Sequence, residues 1–293
     1  MNLTKLRHHI DKLSTISNAE WLQSLSPRKR AELEFHNRDR DRKLKSSLSQ
    51  DDFEKYYGNK KYYSAVRRSV QFTDDWIIAN APGKVFLDYA CGNGSNAIKA
   101  AKAGAALAIG IDISSVSVEN ARADAAALGL TNTVFLQADA ERTLLPASSI
   151  DVIICSGMLH HLDLSYAFFE LRRILAPGGK ILAIEALNYN PFIRLYRMLT
   201  PAMRTDWEKN HILGFSDVRF AKRFFAVRSI LFWHVLGYAG AHVSFAMPAI
   251  DLLDRLLEKV PGIRLFAWIF TFELHSRKTL ADINDDGMES AAG

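Results

Sequence analysis

Between Lys84 and Leu187 the chain alternates five short apolar runs with longer stretches of helical character. The runs are Val85–Leu87, Ala106–Ile111, Thr133–Leu136, Val152–Ile154 and Ile181–Ile184. Their length and β-branched content suit buried strands. Between them lie "SNAIKAAKAG", "SSVSVENARADAAALG" and "DLSYAFFELRRILAPGG". Ser114 or Ser115 can cap the second and Gly129 can end it. Asp163 can cap the third, which carries Leu171, Ile174 and Leu175 on one face. Strands that alternate with helices call for right-handed crossovers and a parallel sheet covered on both faces. The predicted fold is therefore α/β and doubly wound.

In such sheets ligands bind beyond the carboxyl ends of the strands. "VFLDYACGNGSN", from Val85, ends its strand in Asp88 and continues into a loop with Gly92 and Gly94. Those glycines let backbone approach a ligand, and the helix that follows offers free N–H groups and partial positive charge. Such turns are common, so the loop alone decides little. Asp112 closes the second strand in "IGIDIS". It can accept both hydroxyls of a ribose or serve as a helix cap. Asp139, after the third strand in "VFLQADAERTLL", can take the amino protons of an adenine or cap locally. These three acids fit a nicotinamide-dependent oxidoreductase as well as a methyltransferase.

The fourth strand separates them better. "IDVIICSGMLHHL" runs into a loop with adjacent histidines, and "LAPGGKILAIEA" places a Pro-Gly-Gly turn before the fifth strand. Nicotinamide binding requires neither. Residues 84–186 resemble the class I S-adenosylmethionine-dependent methyltransferases, and within them the ubiquinone/menaquinone methyltransferase-like subgroup. The resemblance rests on "LDYACGNG", "IGIDIS", "QADAE", "DVIICSGMLHHL" and "LRRILAPGGKIL", in that order. It implies a seven-stranded, mostly parallel, Rossmann-like sheet with S-adenosyl-L-methionine as cofactor. One departure is Ala90, where the family usually has glycine. The expectation is a loop less strained there, with cofactor binding retained.

The resemblance also implies roles. Asp88 would orient the loop and the methionine end of the cofactor, beside Ala90, and Gly92 and Gly94 would clear space for the aminoacyl group. Asp112 would hold the ribose. Ile113 would pack on the adenine, and Asp139 with Ala140 would bind its amino group. Ser156 and Gly157 would line the methionine chain. A histidine titrates near operating pH, so His160 or His161 is the candidate base, with a structural imidazole as the alternative. On the substrate side the candidates are His36, the aromatic stretch with Tyr57 and Tyr63, and Asn188, Tyr189 and Asn190 just past the fifth strand. Turn chemistry or aromatic packing would explain the same residues. Cys91 and Cys155 read as small packing residues. No His/Cys cluster has structural-zinc spacing, so no metal is expected.

The expected organisation is a helical cap over 1–80 and a Rossmann-like domain over 81–280. That domain has inserts at about 187–215 and 235–262, the second an apolar helical insert before the last strand. A disordered acidic tail follows over 281–293. The sixth strand is predicted from near Ala226 and the seventh from near Leu265. Residues 1–70 hold 16 Lys and Arg against 9 Asp and Glu, a net +7, whereas the whole chain is +5. Ser229–Ile250 contains no charged residue. Three roles are open to that run: docking on a membrane or covering a lipid substrate, a dimer or core element, or a true span. The expected activity is methyl transfer to a small hydrophobic or lipid-linked acceptor of quinone, isoprenoid or natural-product type. A cofactor-binding scaffold without transfer is the alternative. Two cysteines and no apolar leader suggest a cytoplasmic protein, peripheral on the inner membrane face, where the basic segment can meet anionic lipid. No Asn-Pro-Pro-Tyr-type segment follows the fourth strand, and no nucleic-acid partner is expected. A homodimer stays open.

Overall fold

The computed structural model describes residues 2–15, 18–58, 65–238 and 244–277. Tyr63 and the 281–293 tail lie outside them. The chain opens with helices α1 (Leu3–Leu13), α2 (Asn18–Ser24), α3 (Pro27–Arg40), α4 (Arg42–Ser47), α5 (Gln50–Tyr57) and α6 (Arg67–Asn80). Strands and helices then alternate: β1 (Val85–Tyr89), α7 (Ser95–Lys102), β2 (Leu107–Asp112), α8 (Ser115–Ala127), β3 (Thr133–Gln137), β4 (Ile150–Ser156), α9 (Leu164–Ile174) and β5 (Leu175–Ala186). The back half holds α10 (Pro191–Leu199), α11 (Asp206–Asn210), α12 (Phe215–Ala221), β6 (Ala226–Trp233), α13 (Met247–Leu257) and β7 (Ile269–His275).

The seven strands form one sheet in the order β3-β2-β1-β4-β5-β7-β6. Strands β1 to β5 are parallel, and β7 runs antiparallel between β5 and β6. The order reverses between β1 and β4, so their carboxyl ends open the crevice where a ligand belongs. Side chains alternate across each strand, and the sheet therefore has two cores. Phe86 joins Trp76 and Ile77 of α6 and Ala97 and Ala100 of α7 on one face. Leu87 and Tyr89 join Phe168 and Leu171 of α9 and Val218 of α12 on the other. Leu6 and Ile10 of α1 also enter that second core, which ties the cap to the sheet.

The uncharged run does not form one element. Ser229–Trp233 belongs to the edge strand β6, with Phe232 buried and Leu231 partly exposed, and α13 starts only at Met247. Among the described residues no helix is long and apolar enough to cross a membrane. The last strand starts at Ile269, not near Leu265. Gly262 sits at φ 88°, and Ile263–Phe266 form a 3-10 turn before the chain extends. Glu258, just past α13, fastens this insert to α6. Its two oxygens accept bonds of 2.9 and 2.7 Å from the Arg68 guanidinium, and one also accepts the His234 N–H at 2.7 Å.

Candidate active site

Asp88, at the tip of β1, is buried, and its carboxylate accepts the Ala97 N–H in the first turn of α7 at 3.1 Å. It thus orients the loop between them. Burial pushes this carboxyl up to about 7, against the pull of the Ala97 bond, and the nearby Asp112 charge adds to the rise. Ala90 stands at φ 59°, so the alanine has not relaxed the loop. It holds the left-handed conformation glycine would take, which strains an L-residue by about 1 kcal/mol. Gly94 has a different job from clearing ligand space. A Cβ there would lie 2.6 Å from the Phe135 ring and 2.8 Å from Ala121, so its bareness serves helix–sheet packing.

Asp112 ends β2 with both oxygens on backbone N–H groups, Gly92 at 2.8 Å and Ser114 at 2.8 Å. It therefore shapes the Gly92 turn while facing the cavity. Ala90, Asp112, Ile113, Asp139, Ala140, Ser156 and Gly157 share one cavity of about 80 Å³. At Gly157, φ 62°, the space a Cβ would occupy is open. Helix α3 closes the roof. Lys29 Nζ lies 2.5 Å from Asp139 and 2.9 Å from Glu141, and Arg28 reaches Glu141 at 2.5 Å. These ion pairs hold α3 close over the cavity.

A second, larger cavity of about 1150 Å³ meets the first at His36, Arg40, Ser156, Gly157 and His161. His160 lies on its wall, with Nδ1 2.7 Å from Glu185 at the end of β5. The other Glu185 oxygen accepts the N–H groups of Met158 and Leu159 at 2.9 and 2.7 Å. Burial lowers the His160 pKa, but the Glu185 charge and hydrogen bond outweigh it, and the net shift is upward. His161 is held instead by Glu32 of α3, at 3.0 Å from Nδ1. Burial alone would raise the Glu32 carboxyl. Hydrogen bonds from His161, His36 and Thr205 hold it well below the usual carboxylate range.

The other expected substrate residues are placed differently. Tyr57 is buried in the cap, its hydroxyl donating to the Arg38 carbonyl at 3.3 Å, whereas Tyr56 reaches the larger cavity. None of Asn188, Tyr189 and Asn190 lines that cavity. Asn188 donates its N–H to the Leu213 carbonyl, Tyr189 accepts the Phe215 N–H, and Asn190 caps α10 through Phe192 and Ile193. The thiols of Cys91 and Cys155 are free and buried, and burial pushes both pKa values up. Sequence reasoning missed Glu185, Glu32 and Lys29. For Glu185 a signal was present: an acid at the carboxyl end of an apolar strand, in "ILAIEA".

Residues 86–179, which carry this crevice, match the family model described as "Methyltransferase domain". Over these residues the chain matches a methyltransferase domain. S-adenosylmethionine is the cofactor of this domain, and the strand-end carboxylates Asp112 and Asp139, with the bare backbone at Gly157, suit it. The methyltransferase domain is 37% identical over 101 residues to 27-O-demethylrifamycin SV methyltransferase of Amycolatopsis mediterranei, covering 34% of this chain and 37% of that one. Over 113 residues it is 34% identical to demethylmenaquinone methyltransferase of Thermus thermophilus, covering 38% and 50%. The chain thus spans half or less of these two relatives. Geranyl diphosphate C-methyltransferase from Streptomyces coelicolor A3(2) shares the fold at TM-score 0.58 and 14% identity, covering 87% of this chain and 99% of that one. That structure was solved with Mg2+, geranyl diphosphate and S-adenosyl-L-homocysteine.

Proposed function

We propose that this protein transfers the methyl group of S-adenosylmethionine to a small hydrophobic acceptor of quinone, isoprenoid or natural-product type. The observation that carries this reading is the buried Glu185–His160 pair on the wall of a large cavity that joins the cofactor pocket. When bound, S-adenosylmethionine supplies an electrophilic methyl group. Asp112, Asp139 and the bare Gly157 backbone bind and orient that cofactor. Glu185 holds His160 Nδ1, which leaves Nε2 as the basic nitrogen of the ring. There it takes the proton that the acceptor's reacting atom loses. Val66, Ile193, Met203 and Trp268 give the cavity apolar walls that suit a hydrophobic acceptor. The relatives named for a menaquinone precursor and a rifamycin, and the fold neighbour solved with geranyl diphosphate, support this acceptor class. A metabolite comparison between a deletion strain and its parent tests it. The expected result is one hydrophobic compound that loses a methyl group on deletion. If purified protein binds the cofactor but methylates no phenol, quinone or isoprenoid in a broad panel, the scaffold reading replaces this one.

A cytoplasmic protein peripheral on an anionic membrane is the second part of the proposal. Helix α10 borders the cavity through Ile193 and Tyr196, yet Phe192, Leu195, Met198 and Leu199 are 62%, 54%, 76% and 73% exposed. Such a face, with Arg194 and the basic N-terminal segment, suits an interfacial helix beside the acceptor's entrance. Sedimentation with anionic vesicles should fall at high salt without vanishing. Leu195→Gln, Met198→Gln and Leu199→Gln together should remove the salt-resistant part. Absence of wild-type binding at every salt concentration would refute the membrane arm alone.

A further inference from the structure

Glu32 and His36 lie four residues apart on α3, hence on one face of the helix. They meet His161, which comes from the turn after β4. One oxygen of Glu32 is 3.0 Å from His161 Nδ1 and 3.5 Å from His36 Nε2, and the three ligand atoms all lie within 4.8 Å of one another. A metal ion bound at about 2.0–2.2 Å by nitrogen and oxygen keeps neighbouring ligand atoms about 3.0–3.5 Å apart. Both distances from the Glu32 oxygen already match such an edge. The other Glu32 oxygen accepts a 2.6 Å bond from the Thr205 hydroxyl, the kind of outer bond that fixes a ligating carboxylate. Glu32 is only 4% exposed.

We infer that Glu32, His36 and His161 hold one divalent transition-metal ion where the cofactor pocket meets the acceptor cavity. Two imidazoles and one carboxylate suit zinc, iron, cobalt or manganese better than magnesium, which prefers oxygen and water. The sequence pattern hides this set, because only the Glu32–His36 pair is local and His161 lies 129 residues beyond Glu32. A neighbouring set, His160, His161 and Glu208, competes for the same ring. It is the poorer one, since Glu208 is already paired with the Arg204 guanidinium at 3.4 Å. Two ligands ride on the cap and one on the sheet domain, so the ion would staple α3 over the crevice. His36 and His161 line both cavities, which leaves the remaining coordination positions within reach of an acceptor oxygen. That last step rests on the methyl-transfer reading, whereas the metal site does not.

The test uses the full chain stripped with a chelator and titrated with Co2+, Zn2+ and Mg2+ by calorimetry and visible absorption, with no cofactor present. We expect one Co2+ per chain with a d–d band, displacement by Zn2+, and Mg2+ binding weaker by roughly a hundredfold or more. Glu32→Gln and His36→Gln should each weaken Co2+ about tenfold or more, and Glu208→Gln should leave it unchanged. Circular dichroism checks that each variant is folded, and the two conservative changes guard against loss of one to misfolding. Wild-type protein without stoichiometric Co2+ would overturn the site. So would folded Glu32→Gln and His36→Gln variants that titrate like the parent, or affinity that follows Glu208 instead. A failure of the methyl-transfer reading would leave the titration unchanged.

Discussion

Glu185→Gln should lower the maximal rate of methyl transfer about 10²–10⁴-fold, the usual worth of a positioned general base. The cofactor affinity should stay within about a factor of two, because Glu185 lies outside the pocket that holds Asp112 and Asp139. The reason is a tautomer. The glutamine oxygen can still accept the Met158 and Leu159 N–H groups, which turns its amide NH2 toward His160 Nδ1. Nδ1 must then accept, so the proton of the neutral ring sits on Nε2, where the base is needed. The pH profile separates this from a structural defect. The glutamate raises the His160 pKa above its ordinary 6.5 despite burial. The base works when neutral, so wild-type activity should climb as pH rises through that raised value. In the variant the charge is gone and the burial remains. The pKa falls, and the residual activity should reach its plateau at lower pH. A variant that keeps its rate within about threefold, or keeps the limb in place, would remove His160 from the reaction.

The parts of this site that can be read from sequence are those fixed by one local rule. Acids at the carboxyl ends of β1 and β2 and just past β3 follow from the strand–helix alternation, and they lie in or beneath one crevice because a parallel sheet aligns those ends. The parts that cannot be read are pairings between distant segments. Lys29 on Asp139 and Glu32 on His161 join a cap to a sheet across more than 100 residues, and no periodicity encodes such a contact. Polar residues past a strand mislead for a related reason. Asn190 has the composition of a ligand-facing residue, yet its carboxamide is consumed in capping α10 and in bonding the Phe266 carbonyl. The sixth strand starts at Ala226 as predicted, but the uncharged run that overlaps it carries no period in its charge. Leu231 and Phe232 face opposite sides of an edge strand, one partly exposed and one buried, and a mean over 22 residues erases that alternation. Ala90 shows a fold overriding a local preference, since the tight turn after β1 imposes φ 59° on alanine as well.

The back half makes the second strong prediction. Glu258→Ala should destabilise the protein by about 3–5 kcal/mol, because it leaves the Arg68 guanidinium uncompensated in a buried setting. The Arg68 and Glu258 side chains are 14% and 8% exposed, which limits solvent screening of the pair. Glu258 also accepts the N–H of His234, a residue held at φ 66° where β6 turns into the insert. Its loss therefore frees that turn as well as the charge. The melting temperature should drop by on the order of 10 °C, given about 2–4 °C per kcal/mol for a chain approaching this size. Arg68→Met combined with Glu258→Leu should recover much of the loss, since apolar replacements of a buried pair are often neutral or better. Thermal and urea unfolding of the three proteins provide the comparison. A single-variant loss below about 1 kcal/mol would mean that the pair behaves as a surface bridge. A full loss with no recovery in the double variant would assign the energy to the His234 turn instead of the buried charge. The full expected loss with recovery would make the Arg68–Glu258 pair the clamp that holds the insert to α6, since the insert's apolar residues Leu252, Leu253 and Leu256 lie outside the core, 63%, 49% and 59% exposed.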